Sequence, residues 1–134
     1  MTRRMLDTNT VSYILSARYP AVDRRLRDAD PAGLCVSAIT FGEVSFGLAR
    51  RPEATRLRRM AGLFFAEVET LPWTAETGDA YGRLRSRMRQ MGKALSPLDM
   101  LIAAHAVEAG ATLVTSDAAF SHVPGLGAED WTAN

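Results

Sequence analysis

The sequence is poor in residues on which several classes of protein depend. It has one cysteine, Cys35, and two histidines, His105 and His122, among 134 residues. A single cysteine excludes an internal disulfide framework, and its apolar neighbours Leu34 and Val36 predict a small, buried side chain. The sequence also lacks the Gly-x-Ser-x-Gly elbow of serine hydrolases and a glycine-rich phosphate loop.

Long apolar segments are absent as well. No run approaches the ~20 residues that a membrane span requires, and the acid at position 7 comes too early for a secretory signal peptide. We therefore expect a cytoplasmic protein with no membrane contact. The length predicts a single domain spanning 1–134, without room for a second core.

An excess of charge of one sign is also missing. The formal net charge is +1, so there is no global attraction to nucleic acid. Lys93 is the only lysine among 16 basic residues. The preference for arginine favours planar contacts with phosphate, but it is equally expected from a GC-rich genome.

The sequence does contain a regular alternation of short apolar runs and amphipathic segments. The apolar runs predict strands near 5–6, 34–36, 68–71 and 112–115, with an edge strand within 124–131. The amphipathic segments predict helices over 10–17, 20–29, from Ser37 or Thr40 to 51, 53–66, 74–91 and 96–109. Because hairpin signals are missing, we predict an α/β fold with a parallel sheet covered by helices on both faces.

Four acids lie where a predicted strand ends or a predicted helix begins: Asp7, Glu43, Asp99 and Asp117. Each alone could be a helix cap, since two of them follow strands and the other two occupy the fourth position of capping-box patterns. Ligands of open α/β sheets bind at the carboxyl ends of the strands. The four acids could therefore also meet in one site, with Asp7 as its anchor.

Such a meeting would require a cation. Two carboxylates ~4 Å apart repel by about 4 kcal/mol at an effective dielectric near 20. Oxygen ligands without nearby histidine or cysteine favour Mg²⁺ or Mn²⁺ over Zn²⁺, and one or two such ions would suit attack of water on a phosphodiester. A histidine acid–base pair is the weaker alternative, because His105 lies on an apolar helix stripe with Leu98, Leu101 and Ile102, and His122 lies in a loop.

Small residues follow two of these acids. Gly42 and Gly47 lie in the helix of Glu43, although a glycine inside a helix costs about 1 kcal/mol relative to alanine. Ala103 and Ala106 likewise follow Asp99. This pattern predicts close approach either of a substrate or of a neighbouring helix.

Four segments together resemble the PIN-domain ribonucleases. They are Leu-Asp-Thr-Asn at 6–9, Ser-Ala-Ile-Thr at 37–40 followed by Glu43, Ser-Pro-Leu-Asp-Met-Leu-Ile-Ala-Ala-His-Ala at 96–106, and Val-Thr-Ser-Asp at 114–117. The likeness extends over nearly the whole chain. Within that group the chain is most similar to the VapC toxins of bacterial and archaeal toxin-antitoxin modules.

The resemblance implies a single PIN domain, a three-layer α/β/α sandwich around a parallel sheet of four or five strands. The family's catalytic, metal-binding acids correspond to Asp7, Glu43, Asp99 and Asp117. Its supporting polar shell, which orients carboxylates or bound water, corresponds to Thr8, Asn9, Thr115 and Ser116.

The reaction implied by the resemblance is Mg²⁺-dependent endonucleolytic cleavage of RNA, with Mn²⁺ as a substitute. The usual substrate is structured tRNA or ribosomal RNA, and the result is arrest of translation. A VapB-type antitoxin would block the site with an inserted peptide, commonly through an arginine. The family mostly forms homodimers, for which Phe65, Trp73 and Tyr81 are expected to be exposed.

Two positions depart from the family pattern. Ser116 replaces a frequent asparagine but keeps a hydrogen-bond donor. Ala119 stands where many members have a further acid, which predicts one tightly held ion and a second recruited by the substrate phosphate.

Two other functions are alternatives. One is a non-catalytic RNA-binding or protein-interaction domain on a PIN-like scaffold, in which the acids are caps and the arginines bind. The other is a small-molecule phosphohydrolase, which would have an aspartate where this chain has Asn9.

Overall fold

A computed structural model describes residues 2–133, and its centre is a parallel sheet. The strands in chain order are β1 (Arg4–Leu6), β2 (Leu34–Ser37), β3 (Glu69–Leu71), β4 (Thr112–Val114) and β5 (Ala128–Glu129). They lie side by side in the order β3-β2-β1-β4-β5, and every neighbouring pair is parallel. The predicted fold class is confirmed, with the larger of the two expected strand numbers.

Six α-helices connect the strands in the described part of the chain. They are α1 (Thr8–Ser16), α2 (Pro20–Asp28), α3 (Ala38–Ala49), α4 (Thr55–Glu67), α5 (Ala75–Gln90) and α6 (Pro97–Ala109). The predicted start signals are confirmed: Thr74 and Thr77 form a reciprocal capping box at α5, and Ser96 caps α6. None of these helices has the length and apolar character needed to span a bilayer.

The helices cover both faces of the sheet and create three layers. Successive strand residues point to opposite faces, so Met5 and Cys35 pack with α5 and α6, whereas Leu6 and Val36 pack with α1 to α4. All four side chains are fully buried. Burial on both faces is typical of parallel sheets, and it confirms both the sandwich architecture and the buried cysteine.

The burial of α6 corrects one prediction. Leu98, placed on the apolar stripe from the sequence, is 45% exposed, whereas every side chain from 102 to 106 is buried. Three of those five residues are alanines, which let α3, α5 and the sheet all approach this helix. An element covered on several sides does not show a single apolar stripe.

The aromatic residues expected to be exposed are half-buried instead. Trp73 and Tyr81 pack edge to face, with their ring centres 6.3 Å apart, and Phe65 packs against two phenylalanines. Among the large apolar side chains of residues 2–133, Phe46 and Leu63 are the most exposed, at 64% and 61%.

The strand order brings three polar residues together at the carboxyl edge of the sheet. β1 lies between β2 and β4, so Asp7 lies between Ser37, at the end of β2, and Thr115, just after β4. The N–H of Asp7 donates to the carbonyl oxygen of Val114 at 3.0 Å, which continues the strand pairing beyond β1. The sequence order of the strands reverses beside β1, the place where open α/β sheets bind ligands.

Candidate active site

Asp7 lies at the centre of this edge, between β1 and α1. Its carboxylate accepts from the N–H of Thr10 at 2.8 Å and so caps α1. The residue is 4% exposed. Burial raises the pKa of this carboxyl group, while hydrogen bonds from Thr115 and Thr10 oppose the shift. The carboxylate is therefore fixed in direction and would be stabilised by a cation.

Asp99 approaches Asp7 from the first turn of α6. Its N–H donates to the hydroxyl of Ser96 at 3.4 Å, so Ser96 is confirmed as the cap. The reciprocal bond of a capping box, from the N–H of Ser96 to the Asp99 carboxylate, is not formed among residues 2–133. The side chain is half-buried, and its negative charge further raises the pKa of Asp7, as the smallest contribution after burial and the hydrogen bonds. These two acids interact electrostatically although they lie far apart in the chain.

Glu43 is held by α1. The hydroxyl of Thr8 donates to Glu43 Oε1 at 2.6 Å and lies 3.2 Å from the hydroxyl of Thr40. The capping-box explanation of Glu43 is wrong, because α3 begins at Ala38 and its cap is Ser37, whose Oγ accepts from the N–H of Ile39 at 3.0 Å. Glu43 lies more than a turn inside the helix, so it has no role in capping.

Asp117 is connected to Asp7 through Thr115. The side chain of Thr115 lowers the pKa of Asp7, and its hydroxyl oxygen accepts from the N–H of Asp117 at 3.1 Å. The Asp117 carboxylate is exposed and caps the short 3₁₀ helix Ala118–His122. Ser116 is exposed beside it and lines the same shallow cavity, which does not include Glu43.

His105 has a structural place that the sequence did not reveal. It is buried, and its Nδ1 lies 2.7 Å from the hydroxyl of Ser37. Burial lowers the pKa of His105, while Glu108 and a hydrogen bond to the carbonyl of Pro72 oppose the shift. His122 is exposed on the 3₁₀ helix. The two histidines therefore make no acid–base pair.

A groove of about 490 Å³ adjoins Glu43, between α1 and α3. Thr8 and Asn9 line it together with four residues that the sequence analysis did not single out: Ser12, Ser16, Arg18 and Arg51. A signal for two of these four residues was available, since Ser12 and Ser16 follow Thr8 at intervals of about one helical turn and share its face of the helix.

Both glycines of α3 face open space and are not packed against another part of the chain. Among residues 2–133, a Cβ added at Gly42 or Gly47 would meet no atom within 4 Å beyond its own helix and chain neighbours. Close approach of another helix, one of the two explanations predicted from the sequence, is therefore wrong for this helix. Gly47 instead lines the groove.

The four acids do not form a preformed site for a divalent cation in the described part of the chain. Within residues 2–133, no three aspartate, glutamate, histidine or cysteine side chains lie close enough to hold one ion together. The quartet is thus not a ready-made cluster, and its role in metal binding stays a prediction. Mg²⁺ commonly takes one or two protein carboxylates and keeps several waters. Asp7 and Asp99 would supply two such carboxylates, and their oxygen donors are of the type that Mg²⁺ prefers.

Comparisons with known proteins agree with this architecture. Residues 4–126 match the family model described as PIN domain. A protein named tRNA(fMet)-specific endonuclease VapC, from Shigella flexneri, is 28% identical over 133 residues, which cover 98% of this chain and 100% of that relative. Ribonuclease VapC2 from Rickettsia felis is 29% identical over 129 residues, which cover 95% and 96%. A chain in the crystal structure of DNA-bound VapBC from Salmonella typhimurium has 27% identity and a TM-score of 0.89, with 98% and 99% covered.

Proposed function

The chain belongs to the PIN domain family, and from this premise we propose that it is a VapC-like toxin, an Mg²⁺-dependent endoribonuclease. The observation that carries the proposal is the buried carboxylate of Asp7, directly after the central strand, with the charge of Asp99 acting on it. Relatives of nearly the same length bear the names of nucleases, which supports phosphodiester hydrolysis as the reaction.

In this proposal, Asp7, directly after β1, and Asp99, in the first turn of α6, would hold the cation. Thr115 favours the ionised form of Asp7, because its side chain lowers the pKa of that carboxyl group. The hydroxyl of Thr8 donates to Glu43 and holds it in position. An Mg²⁺ or Mn²⁺ ion bound there would activate water and neutralise the negative charge that develops on the phosphodiester. Glu43 would orient the attacking water or complete the site once substrate is bound.

The position of Asp117 supports a single tightly held ion. Its carboxylate is exposed and already accepts from the N–H of Ala119 at 2.9 Å. Ala119 itself has no side chain that could serve as a ligand. We therefore assign Asp117 to the outer side of the site, where a second ion would bind together with a substrate phosphate.

The proposed substrate is a structured RNA, tRNA or ribosomal RNA, whose cleavage arrests translation. The name of the Shigella relative, which specifies tRNA(fMet), supports this class. The proposed partner is a VapB-type antitoxin that blocks the acids, since the Salmonella relative was solved as a VapBC assembly. Homodimerisation, implied by the resemblance, stays a prediction.

The test is direct cleavage of RNA. Purified chain would be incubated with total tRNA or ribosomal RNA and Mg²⁺ or Mn²⁺, and the new RNA ends would be sequenced. We expect defined cleavage by the wild type and none by Asp99→Asn. Asp28→Asn is the matched control, because Asp28 is an exposed acid at the end of α2. The proposal fails if the wild type cuts no RNA with either ion, or if Asp99→Asn cuts as fast as the control.

One observation favours a second candidate, a non-catalytic RNA-binding or protein-interaction domain. Asp7 and Asp117 both cap helices, and the described residues contain no three-acid cluster. Calorimetry separates the two functions. If the chain is a nuclease, the wild type binds Mg²⁺ and Asp7→Asn does not. If it is a non-catalytic binding domain, neither chain binds divalent ions.

A further inference from the structure

The groove between α1 and α3 extends away from the acids. Glu43 and Thr8 line one part of it, and Arg18 and Arg51 line it as well. Both helices begin at the carboxyl edge of the sheet, after the adjacent parallel strands β1 and β2. The two arginines follow the ends of these helices, so they lie far from the edge. Six residues of α3 follow Glu43 before the helix ends at Ala49, a rise of about 9 Å, and Arg51 lies two residues further on.

Hydrogen bonds hold the backbone of Arg18 and of Arg51 in place, whereas their guanidinium groups have no partner among residues 2–133. Ala17, with φ of 52°, ends α1 in the left-handed conformation, and the N–H of Arg18 donates to the carbonyl of Tyr13 at 3.3 Å. The N–H of Arg51 donates to the carbonyl of Leu48 at 3.1 Å. Neither guanidinium makes an ion pair or a side-chain hydrogen bond with any of residues 2–133. Both are therefore available to an anion.

The remaining lining suits a polymer that has both apolar and anionic parts. Tyr13, Leu48 and Leu57 provide apolar surface, and the Tyr13 ring is held edge-on by Tyr19, with ring centres 4.5 Å apart. Hydroxyl groups along one face of α1 add hydrogen-bond donors. Basic grooves that combine arginine with aromatic surface are typical of single-stranded nucleic acid binding.

We propose that this groove binds the RNA strand next to the cleavage point, with Arg18 and Arg51 together holding a backbone phosphate. Planar guanidinium groups match phosphate oxygens in bidentate geometry. Sugar and base surfaces would lie over Gly47, whose missing side chain keeps the floor of the groove open. The inference rests on the proposed ribonuclease function and adds to it the residues that position the substrate.

Binding of RNA tests the arginines. All variants would be made in the full-length Asp7→Asn chain, so that no turnover occurs, and titrated with a short fluorescein-labelled single-stranded RNA in Mg²⁺. We expect Arg18→Gln/Arg51→Gln to raise the Kd by about tenfold or more. The slope of log affinity against log salt should flatten by about 0.7, the value for one lost phosphate contact with single-stranded RNA.

The matched control is Arg87→Gln/Arg89→Gln. It removes the same charge from exposed positions of α5, a helix on the opposite face of the sheet from α1 and α3. At physiological ionic strength, charges beyond ~8 Å are largely screened. This control should therefore leave both the Kd and the salt slope close to those of the parent.

A second pair of variants tests the floor of the groove. Gly47→Leu places a side chain in the groove and should weaken RNA binding, yet raise the melting temperature because leucine is the better helix former. Gly62→Leu, at an exposed and open position inside α4, should raise the melting temperature without changing RNA affinity.

Equal RNA affinity in the two arginine double variants would overturn the inference. It would also be overturned if Arg18→Gln/Arg51→Gln lost only the binding of an antitoxin, since the groove would then belong to the protein partner. These outcomes are distinct from failure of the proposed function, which would appear as absence of cleavage by the wild type.

Discussion

The hydroxyl of Thr8 donates to Glu43 across 2.6 Å and thereby connects α1 to α3, one residue beyond Asp7. Both helices begin at the carboxyl edge of the sheet, where they follow the adjacent strands β1 and β2. Glu43 belongs to the candidate site through this bond rather than through a shared helix end. Several measurable consequences depend on it and on its neighbours.

Replacing Thr8 by valine should slow RNA cleavage by about 10–100-fold, the usual effect of losing a residue that orients a metal ligand. Valine keeps the shape of threonine but cannot donate to Glu43. Rates of RNA cleavage at saturating Mg²⁺ provide the measurement, and Thr8→Ser, which restores the hydroxyl, should recover most of the activity. Equal rates for the valine and serine variants would show that the bond has no part in the reaction.

Asp7→Asn should abolish cleavage and, without metal, stabilise the fold. Burial raises the pKa of Asp7 in the folded protein above its ordinary value of 3.8, so ionisation opposes folding as the pH rises through the folded pKa. The gain should be absent at pH values below 3.8, grow as the pH rises above that value, and be complete above the folded pKa. Urea unfolding in EDTA at several pH values measures it, and no gain at neutral pH would contradict the burial argument.

Addition of Mg²⁺ should stabilise the wild-type chain. An ion present at about 100 times its Kd raises the free energy of unfolding by roughly 2.7 kcal/mol if it binds only the folded state. Asp99→Asn should lose most of this increment, whereas Asp28→Asn should keep it. Thermal melts with and without EDTA make the comparison, and melting temperatures indifferent to EDTA in all three chains would argue against a metal site.

Acid should destabilise the protein through His105. Burial lowers its pKa below the ordinary value of 6.5, so the unfolded chain binds the proton more readily. The contribution of neutral His105 is complete above pH 6.5 and is lost as the pH falls towards the folded pKa, by up to about 1.4 kcal/mol per pH unit. His105→Gln should flatten this dependence in chemical unfolding experiments, whereas His122→Gln, at an exposed position, should leave it unchanged.

Strands and helix starts could be predicted because their signals are local. The reciprocal bonds of Thr74 and Thr77 and the cap at Ser96 depend on residues three positions apart. The start of α3 was ambiguous between Ser37 and Thr40, because either residue can cap a helix. The structure selects Ser37, since β2 continues to this residue, while Thr40 is fully buried inside the helix.

The contacts of the candidate site could be predicted only in part. The sequence indicated which polar residues reach the sheet edge, but it gave no distances between side chains on different elements. The bond between Ser37 and His105 joins residues 68 positions apart. Periodic patterns in a sequence predict local structure and cannot predict such a contact. The same holds for Arg18 and Arg51, which line one groove only because α1 and α3 pack together.

The middle strand of the sheet is the first to be synthesised, and one of its two neighbours, β4, comes after more than a hundred further residues. Until Val114 has left the ribosome, the N–H of Asp7 lacks its carbonyl acceptor, and Thr115 is not yet beside the carboxylate. A partly synthesised chain therefore has no assembled acidic site. The site therefore forms late in the synthesis of each molecule, whatever the speed of translation.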